Sequence, residues 1–167
     1  MNLTKRLCRA GVIAAAYAAL TFAFAPVAFG PVQIRPAEAL TILPLFFIES
    51  VPALFIGCLI ANLLSVYGFI DVVVGSSVTL LAAALTYLIG KAVKQPLIKV
   101  LTGGVPPIIL NAVILPFVWA FAGGEGAFIV NFYPILITQT LCIYAVGIPL
   151  YYSIVSLRKH GNRLFIS

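Results

Sequence analysis

Five long apolar stretches, with most charged residues crowded between them, dominate this chain. A helix needs about 20 apolar residues to cross the hydrocarbon of a bilayer. Since 63% of the 167 residues are apolar and only 8% are charged, the chain cannot cover a water-soluble surface with polar groups. It is therefore predicted to be an all-α integral membrane protein. The stretches run from Ala10 to Phe29, Ala37 to Val66, Val72 to Gly90, Val105 to Ala122 and Phe132 to Leu157.

The second stretch is too long for one crossing. Its 30 residues, interrupted by Glu49-Ser50-Val51-Pro52, would make a helix of roughly 45 Å against a hydrocarbon core of about 30 Å. Two short helices forming a hairpin leave nine of the ten basic residues on one side of the membrane and only Arg35 on the other. This distribution satisfies the positive-inside rule, so a six-helix bundle with both termini cytoplasmic is predicted. The nine are Lys5, Arg6, Arg9, Lys91, Lys94, Lys99, Arg158, Lys159 and Arg163.

The whole chain, residues 1–167, is predicted to be one membrane-embedded domain. A cleaved signal peptide, suggested by small residues near Ala23 and Ala25, is the alternative for the first segment, but its apolar run exceeds the usual length of such peptides. Residues 91–104 are predicted to form a basic cytoplasmic linker. The predicted helices cover approximately residues 9–29, 37–48, 51–66, 72–90, 105–122 and 132–157.

Several function classes are excluded by missing motifs. The chain has no G-x-x-x-x-G-K-[ST] and no G-x-S-x-G, and its single histidine, His160, lies in a basic tail, so neither a phosphate-binding loop nor a histidine-based triad is available. Cys8, Cys58 and Cys142 are too far apart for a metal or redox motif. No enzyme activity, catalytic residue, metal or cofactor is expected. The net charge of +6 follows from the flanking cations and indicates no nucleic-acid partner.

Arg35 and Glu38 stand out because charged groups are unfavourable near hydrocarbon. Glu38 falls in the first turn of the second predicted helix, where its charge suits the helix dipole. The two residues could form an interfacial pair that caps this helix, or they could face a pocket open to the outside and clamp a ligand. Both interpretations remain open at this stage.

Further polar and aromatic residues fall in the outer half of the predicted bundle. Amides there can act as interhelical hydrogen-bonding groups, and aromatic residues can form an interfacial belt. Carboxylates, planar amides and aromatic faces together also suit a flat heterocycle. Glu125, between Gly123 and Gly126, is predicted to lie in a mobile outer loop. The candidate ligand-binding residues are Arg35, Glu38, Asn62, Asp71, Asn111, Trp119 and Gln139.

Two rows of small residues follow the first helix at every fourth position. Rows of this kind let another helix approach closely. They could form a packing seam inside the bundle or a docking surface for a separate subunit. The first row contains Ala10, Ala14 and Ala18, and the second contains Gly11, Ala15 and Ala19.

The chain resembles a known transporter family. Residues 32–41 (VQIRPAEALT), 57–62 (GCLIAN) and 71–76 (DVVVGS), together with six short helices and the alanine row, are similar to the QueT family. Its members are queuosine-precursor substrate-binding (S) components of energy-coupling factor (ECF) transporters. The likeness covers nearly the whole chain.

The resemblance implies a pocket for a purine-like ligand, a 7-deazaguanine such as queuine or its aminomethyl or cyano precursors. It also implies a transmembrane coupling subunit and two ATPase subunits as partners, in the plasma membrane of a bacterium. Glu38 would accept the N–H groups of the guanine-like edge, with Asp71 as the second candidate. An accessory membrane subunit without a small-molecule site, or an S component for another vitamin-like heterocycle, remains the alternative.

Overall fold

The protein is a bundle of helices, described by a computed structural model for residues 3–29, 33–65, 68–121 and 128–160, with no strand among them. A π-helical turn, Asp71–Gly75, leads into α4, and another, Cys142–Val146, joins α6 to α7. Continuous helices therefore run over Asp71–Ala92 and Phe128–Lys159. The elements are α1 (Leu3–Ala23), the single turn α2 (Ala25–Ala28), a 3-10 helix (Pro36–Leu45), α3 (Ser50–Asn62), α4 (Ser76–Ala92), α5 (Pro96–Phe121), α6 (Phe128–Leu141) and α7 (Gly147–Lys159).

The prediction of an all-α membrane protein is confirmed. Four helices are long and apolar enough to cross a bilayer, and the 3-10 helix and α3 are shorter apolar segments. Large apolar side chains such as Leu88 and Phe117 are exposed on the outside of the bundle, as expected for a surface that faces lipid. The count of six crossings and the cytoplasmic position of the termini stay predictions. The four long helices are Leu3–Ala23, Asp71–Ala92, Pro96–Phe121 and Phe128–Lys159.

The second predicted helix, residues 37–48, is a 3-10 helix rather than an α-helix, and it ends at Leu45. It lies in the centre of the molecule, with eight of its ten side chains buried. A 3-10 helix rises about 2.0 Å per residue, against 1.5 Å in an α-helix, and is narrower. Ten residues therefore extend roughly 20 Å and still fit between the surrounding helices. Pro44, within this helix, lacks the N–H that a regular α-helix would use.

Glycines on the neighbouring helices make room for this central segment. A Cβ atom added at Gly90 of α4 would lie 2.9 Å from the Cα of Leu45, and one at Gly147 of α7 would lie 2.6 Å from Cδ1 of Ile42. Both distances are shorter than packed carbon atoms tolerate. The absent side chains thus allow α4 and α7 to contact the 3-10 helix directly.

Three other predicted boundaries were wrong. The first predicted helix, residues 9–29, is divided, because α1 ends at Ala23 and a separate turn containing Pro26 follows. The predicted linker of residues 91–104 is mostly helical, since α5 already begins at Pro96. Lys94 lies in the short break between α4 and α5, whereas Lys99 lies within α5, because a helix can continue beyond the hydrocarbon into the polar interface. The third predicted helix, residues 51–66, ends earlier, since α3 stops at Asn62 and residues 63–65 are not helical. The predicted Glu125 loop lies outside the described residues.

The turn between the 3-10 helix and α3 is held by two arginines. Arg9 of α1 forms an ion pair of 2.8 Å with Glu49, and its guanidinium lies 4.1 Å from the centre of the Phe47 ring. From α7, Arg158 donates to the backbone carbonyl of Phe46 over 3.1 Å. This turn lies at the opposite end of the bundle from the polar residues described next.

Candidate functional site

Glu38 lies in the middle of the bundle with 2% of its surface exposed. The hydroxyl of Tyr17, on α1, donates to Oε1 of Glu38 over 2.5 Å. The amide nitrogen of Asn111, on α5, donates to Oε2 over a long 3.4 Å. The hydroxyl of Thr41 donates to the backbone carbonyl of Glu38 over 2.6 Å. One carboxylate oxygen is thus held by a short hydrogen bond, whereas the other is only weakly engaged.

Arg35 precedes the 3-10 helix and is also buried. Its Nε donates to the backbone carbonyl of Ala28 over 3.0 Å, and Nη1 donates to the side-chain oxygen of Asn62 over 3.4 Å. Nη2 lies 3.8 Å from Oδ2 of Asp71 and makes no hydrogen bond within the described part of the chain. The guanidinium also lies 5.0 Å from the centre of the Phe29 ring.

Asp71 begins the π-helical turn before α4 and has both carboxylate oxygens engaged. Trp119 Nε1 donates to Oδ1 over 2.7 Å, and the hydroxyl of Ser65 donates to Oδ2 over 2.5 Å. The amide of Asn62 donates to the backbone carbonyl of Asp71 over 2.8 Å. Because π-helical turns are frequent at functional sites, this position agrees with a site at this end of the bundle.

Gln139, on α6, carries an unused acceptor. Its side chain is buried, and its Oε1 has no hydrogen-bond partner among the described residues. The neighbouring Thr138 donates to the backbone carbonyl of Gln33 over 3.3 Å, so this part of α6 contacts the segment that leads to Arg35. A buried amide oxygen without a donor is unfavourable by about 1–3 kcal/mol. A bound ligand could supply the donor.

All seven predicted binding residues are buried, and six of them form two hydrogen-bonded groups. Glu38 and Asn111 belong to one group, whereas Arg35, Asn62, Asp71 and Trp119 belong to the other. The backbone N–H of Glu38 donates to the carbonyl of Arg35 over 3.0 Å, but within the described residues no hydrogen bond or ion pair joins their side chains. Together the two groups provide carboxylate oxygens, an amide and a guanidinium that can recognise a polar heterocycle.

Two residues of these groups were missed by sequence reasoning, namely Tyr17 and Ser65. Tyr17 lies on the same face of α1 as Ala14 and Thr21, which are three and four residues away. A phenol among small residues on the buried face of a helix is a signal for an interior hydrogen bond. Ser65, six residues before Asp71 in a polar break, carried no comparable signal.

The two small-residue rows on α1 have different surroundings. Ala14 and Ala18 are buried, and Ala10 packs against the same core. This first row faces α3, where a Cβ atom added at Gly57 would lie 2.8 Å from the carbonyl oxygen of Ala14. Ala14 and Ala18 therefore pack inside the bundle, whereas Ala10 is partly buried. The second row, Gly11, Ala15 and Ala19, is exposed.

Comparison with known families identifies what kind of bundle this is. A model of the QueT transporter family matches residues 7–156, which is most of the chain. The chain belongs to the QueT transporter family. No curated protein and no solved structure matches the chain. This QueT family member is therefore a multi-pass membrane protein of a transporter family, with its buried polar groups inside the matched region.

Proposed function

We propose that this QueT family member is the substrate-binding S component of an ECF-type importer that captures a queuosine precursor. The ligand is a 7-deazaguanine such as queuine or its aminomethyl or cyano precursors. The observation that carries the proposal is the pair of buried polar groups around Glu38 and Asp71, in a bundle that is otherwise apolar. Ionised residues inside membrane proteins mark ligand and ion sites by default.

Glu38 is better suited than Asp71 to recognise the ligand. Trp119, Ser65 and Arg35 already occupy the two oxygens of Asp71, so Asp71 and Trp119 act mainly by positioning Arg35. Glu38 has one oxygen held by Tyr17 and another with only a 3.4 Å bond from Asn111. A guanine-like edge presents neighbouring N–H donors that this carboxylate can accept. The carbonyl oxygen of the guanine-like edge can accept a hydrogen bond from Asn111 or Arg35.

Coupling to ATP requires separate subunits under this proposal, because the sequence has no phosphate-binding loop. A transmembrane coupling subunit would dock on the exposed row Gly11, Ala15 and Ala19 and link the S component to two ATPase subunits. A row of small residues allows close helix contact without a hydrophobic driving force from water. The complex would work in the plasma membrane of a bacterium.

A thermal-shift titration of the purified protein with 7-deazaguanines tests the proposal. Stabilisation should follow RT ln(1 + [L]/Kd). Replacing Glu38 by Gln turns one acceptor into a donor facing the donors of the ligand, so affinity should fall about ten- to a hundredfold. Glu49→Gln, the same chemical change at the other end of the bundle, should leave affinity unchanged.

Two outcomes would contradict the proposal. If no deazaguanine stabilises the protein and no other small molecule does, the chain is an accessory membrane subunit. If only a different vitamin-like heterocycle stabilises it, the chain is an S component of another specificity.

A further inference from the structure

The buried polar groups hold two carboxylates but a single cation. Within the described part of the chain, the charged side chains in the core are Arg35, Glu38 and Asp71. Arg35 lies 3.8 Å from Asp71, whereas Glu38 is hydrogen-bonded by the neutral groups of Tyr17 and Asn111. When all three are ionised, the core carries a net charge of −1.

No other cation of the described chain compensates this charge. Arg9 pairs with Glu49, and Arg158 donates to the carbonyl of Phe46, both at the opposite end of the bundle. Lys91 lies over the ring of Tyr87 near the end of α4. A buried charge without a counter-charge is strongly unfavourable in a low-dielectric interior. Such a carboxylate either takes up a proton or is balanced by a positive charge from outside the chain.

We propose that the ligand supplies this positive charge, so that the site binds a ligand with a single positive charge. This inference rests on the proposed function and narrows it. Among deazaguanines, the 7-aminomethyl compound carries an ammonium group at neutral pH, whereas the 7-cyano compound is neutral. The unpartnered Oε1 of Gln139 accepts an ammonium N–H in this arrangement. The guanine-like edge remains with Glu38, and the ammonium offsets the net charge of the core.

Calorimetric titration of the purified protein with three related compounds tests this inference. The compounds are 7-aminomethyl-7-deazaguanine, 7-cyano-7-deazaguanine and unsubstituted 7-deazaguanine. An opposite charge within about 4–6 Å shifts an ionisation by one to three pKa units, equivalent to about ten- to a thousandfold. We therefore expect the amine to bind at least about tenfold more tightly than the nitrile.

Three variants locate the origin of this preference. Glu38→Gln lowers the affinity for all three compounds but should also bring the amine-to-nitrile ratio close to one, because the core then becomes neutral. Glu49→Gln removes an acid that is not part of the site and should preserve the ratio. Gln139→Leu keeps the charge balance but removes the unpartnered oxygen. It should lower the affinity for the aminomethyl compound and leave the affinity for unsubstituted 7-deazaguanine unchanged.

The outcomes distinguish failure of the charge inference from failure of the proposed deazaguanine-binding function. Equal or tighter binding of the nitrile overturns the charge inference and leaves the deazaguanine function in place. A ratio that persists in folded Glu38→Gln also overturns it. If none of the three compounds binds, both proposals fall together.

Discussion

Tyr17 is the residue on which the geometry of Glu38 depends most. It is 1% exposed, and its hydroxyl makes the shortest hydrogen bond to the carboxylate. Because it comes from α1, it ties the first helix to the central 3-10 helix. The hydroxyl therefore holds the carboxylate in place before any ligand arrives.

Replacing Tyr17 by Phe should reveal this role. The change keeps the ring but leaves Oε1 of Glu38 without its donor, so we expect the free energy of unfolding to fall by about 1.5 kcal/mol, together with a loss of ligand affinity. Thermal unfolding in detergent and ligand titration measure the two effects. Tyr133→Phe, at a residue that is 57% exposed, is the control. Identical behaviour of the two variants would contradict the assignment.

Sequence reasoning identified the unusual polar residues but not their partners. Charge and amide groups in apolar stretches are visible in any linear sequence, so Arg35, Glu38, Asp71 and Gln139 could be selected. The partner of Glu38 could not be predicted, since Tyr17 and Asn111 are 21 and 73 residues away. Only the packing of three segments brings these residues together.

At the scale of elements, hydropathy predicted where helices run but not how they are wound. The 3-10 helix and both π-helical turns lie in apolar stretches whose composition would equally suit an α-helix. Their winding follows from tertiary packing, such as the contact of Gly90 with Leu45. Helix ends were misplaced for a related reason. The length of an apolar stretch reflects the thickness of the hydrocarbon core, whereas a helix can end within that core or continue beyond it.

The contact between α1 and α3 can be tested with glycine substitutions. A Cβ atom at Gly57 would lie 2.8 Å from the carbonyl oxygen of Ala14 and 2.9 Å from Cβ of Tyr17, whereas one at Gly11 would meet nothing within 4 Å. We expect Gly57→Ala to lower the free energy of unfolding by about 1–3 kcal/mol, because the helices must move apart. Gly11→Ala should retain or raise stability. Equal effects on thermal unfolding would refute the close packing.

At the scale of the whole molecule, we expect substitutions in the exposed row on α1 to lower uptake without changing ligand affinity. Under the proposed function, Ala15→Leu combined with Ala19→Leu should impair uptake by cells, because the bulkier surface would hinder docking of the proposed coupling subunit. Ligand affinity of the isolated protein should stay near that of the parent. Ala120→Leu, an exposed alanine on α5, is the control for uptake. A parallel loss of binding would show that this row is not a separate docking surface.

Membrane sidedness can be measured with single cysteines in a cysteine-free background. Lys94→Cys and His160→Cys, both at exposed positions, should react with an impermeant reagent only from the cytoplasm. Glu125→Cys should react only from outside. Labelling of position 94 from outside would eliminate the hairpin and the six-crossing count.

The distribution of charges was the part of the sequence that most informed the overall architecture. It divided the 30-residue stretch at Glu49, and the structure has a turn at this point between the 3-10 helix and α3. Charge counting works here because it depends on the whole chain and not on local propensity. It provides no information on which helix occupies the centre.

The dispersed origin of the buried polar groups has a consequence for biosynthesis. Their side chains come from α1, the 3-10 segment, α3, the start of α4, α5 and α6. Helices enter the membrane in chain order during translation, so Arg35 and Glu38 emerge from the ribosome well before Asn111, Trp119 and Gln139. A nascent chain that stops before α5 contains Tyr17, Asn62 and Asp71 but lacks Asn111 and Trp119, the donors to Glu38 and Asp71. The two carboxylates are therefore fully hydrogen-bonded only after α5 has been inserted, and we expect a chain truncated before α5 to be degraded as unassembled.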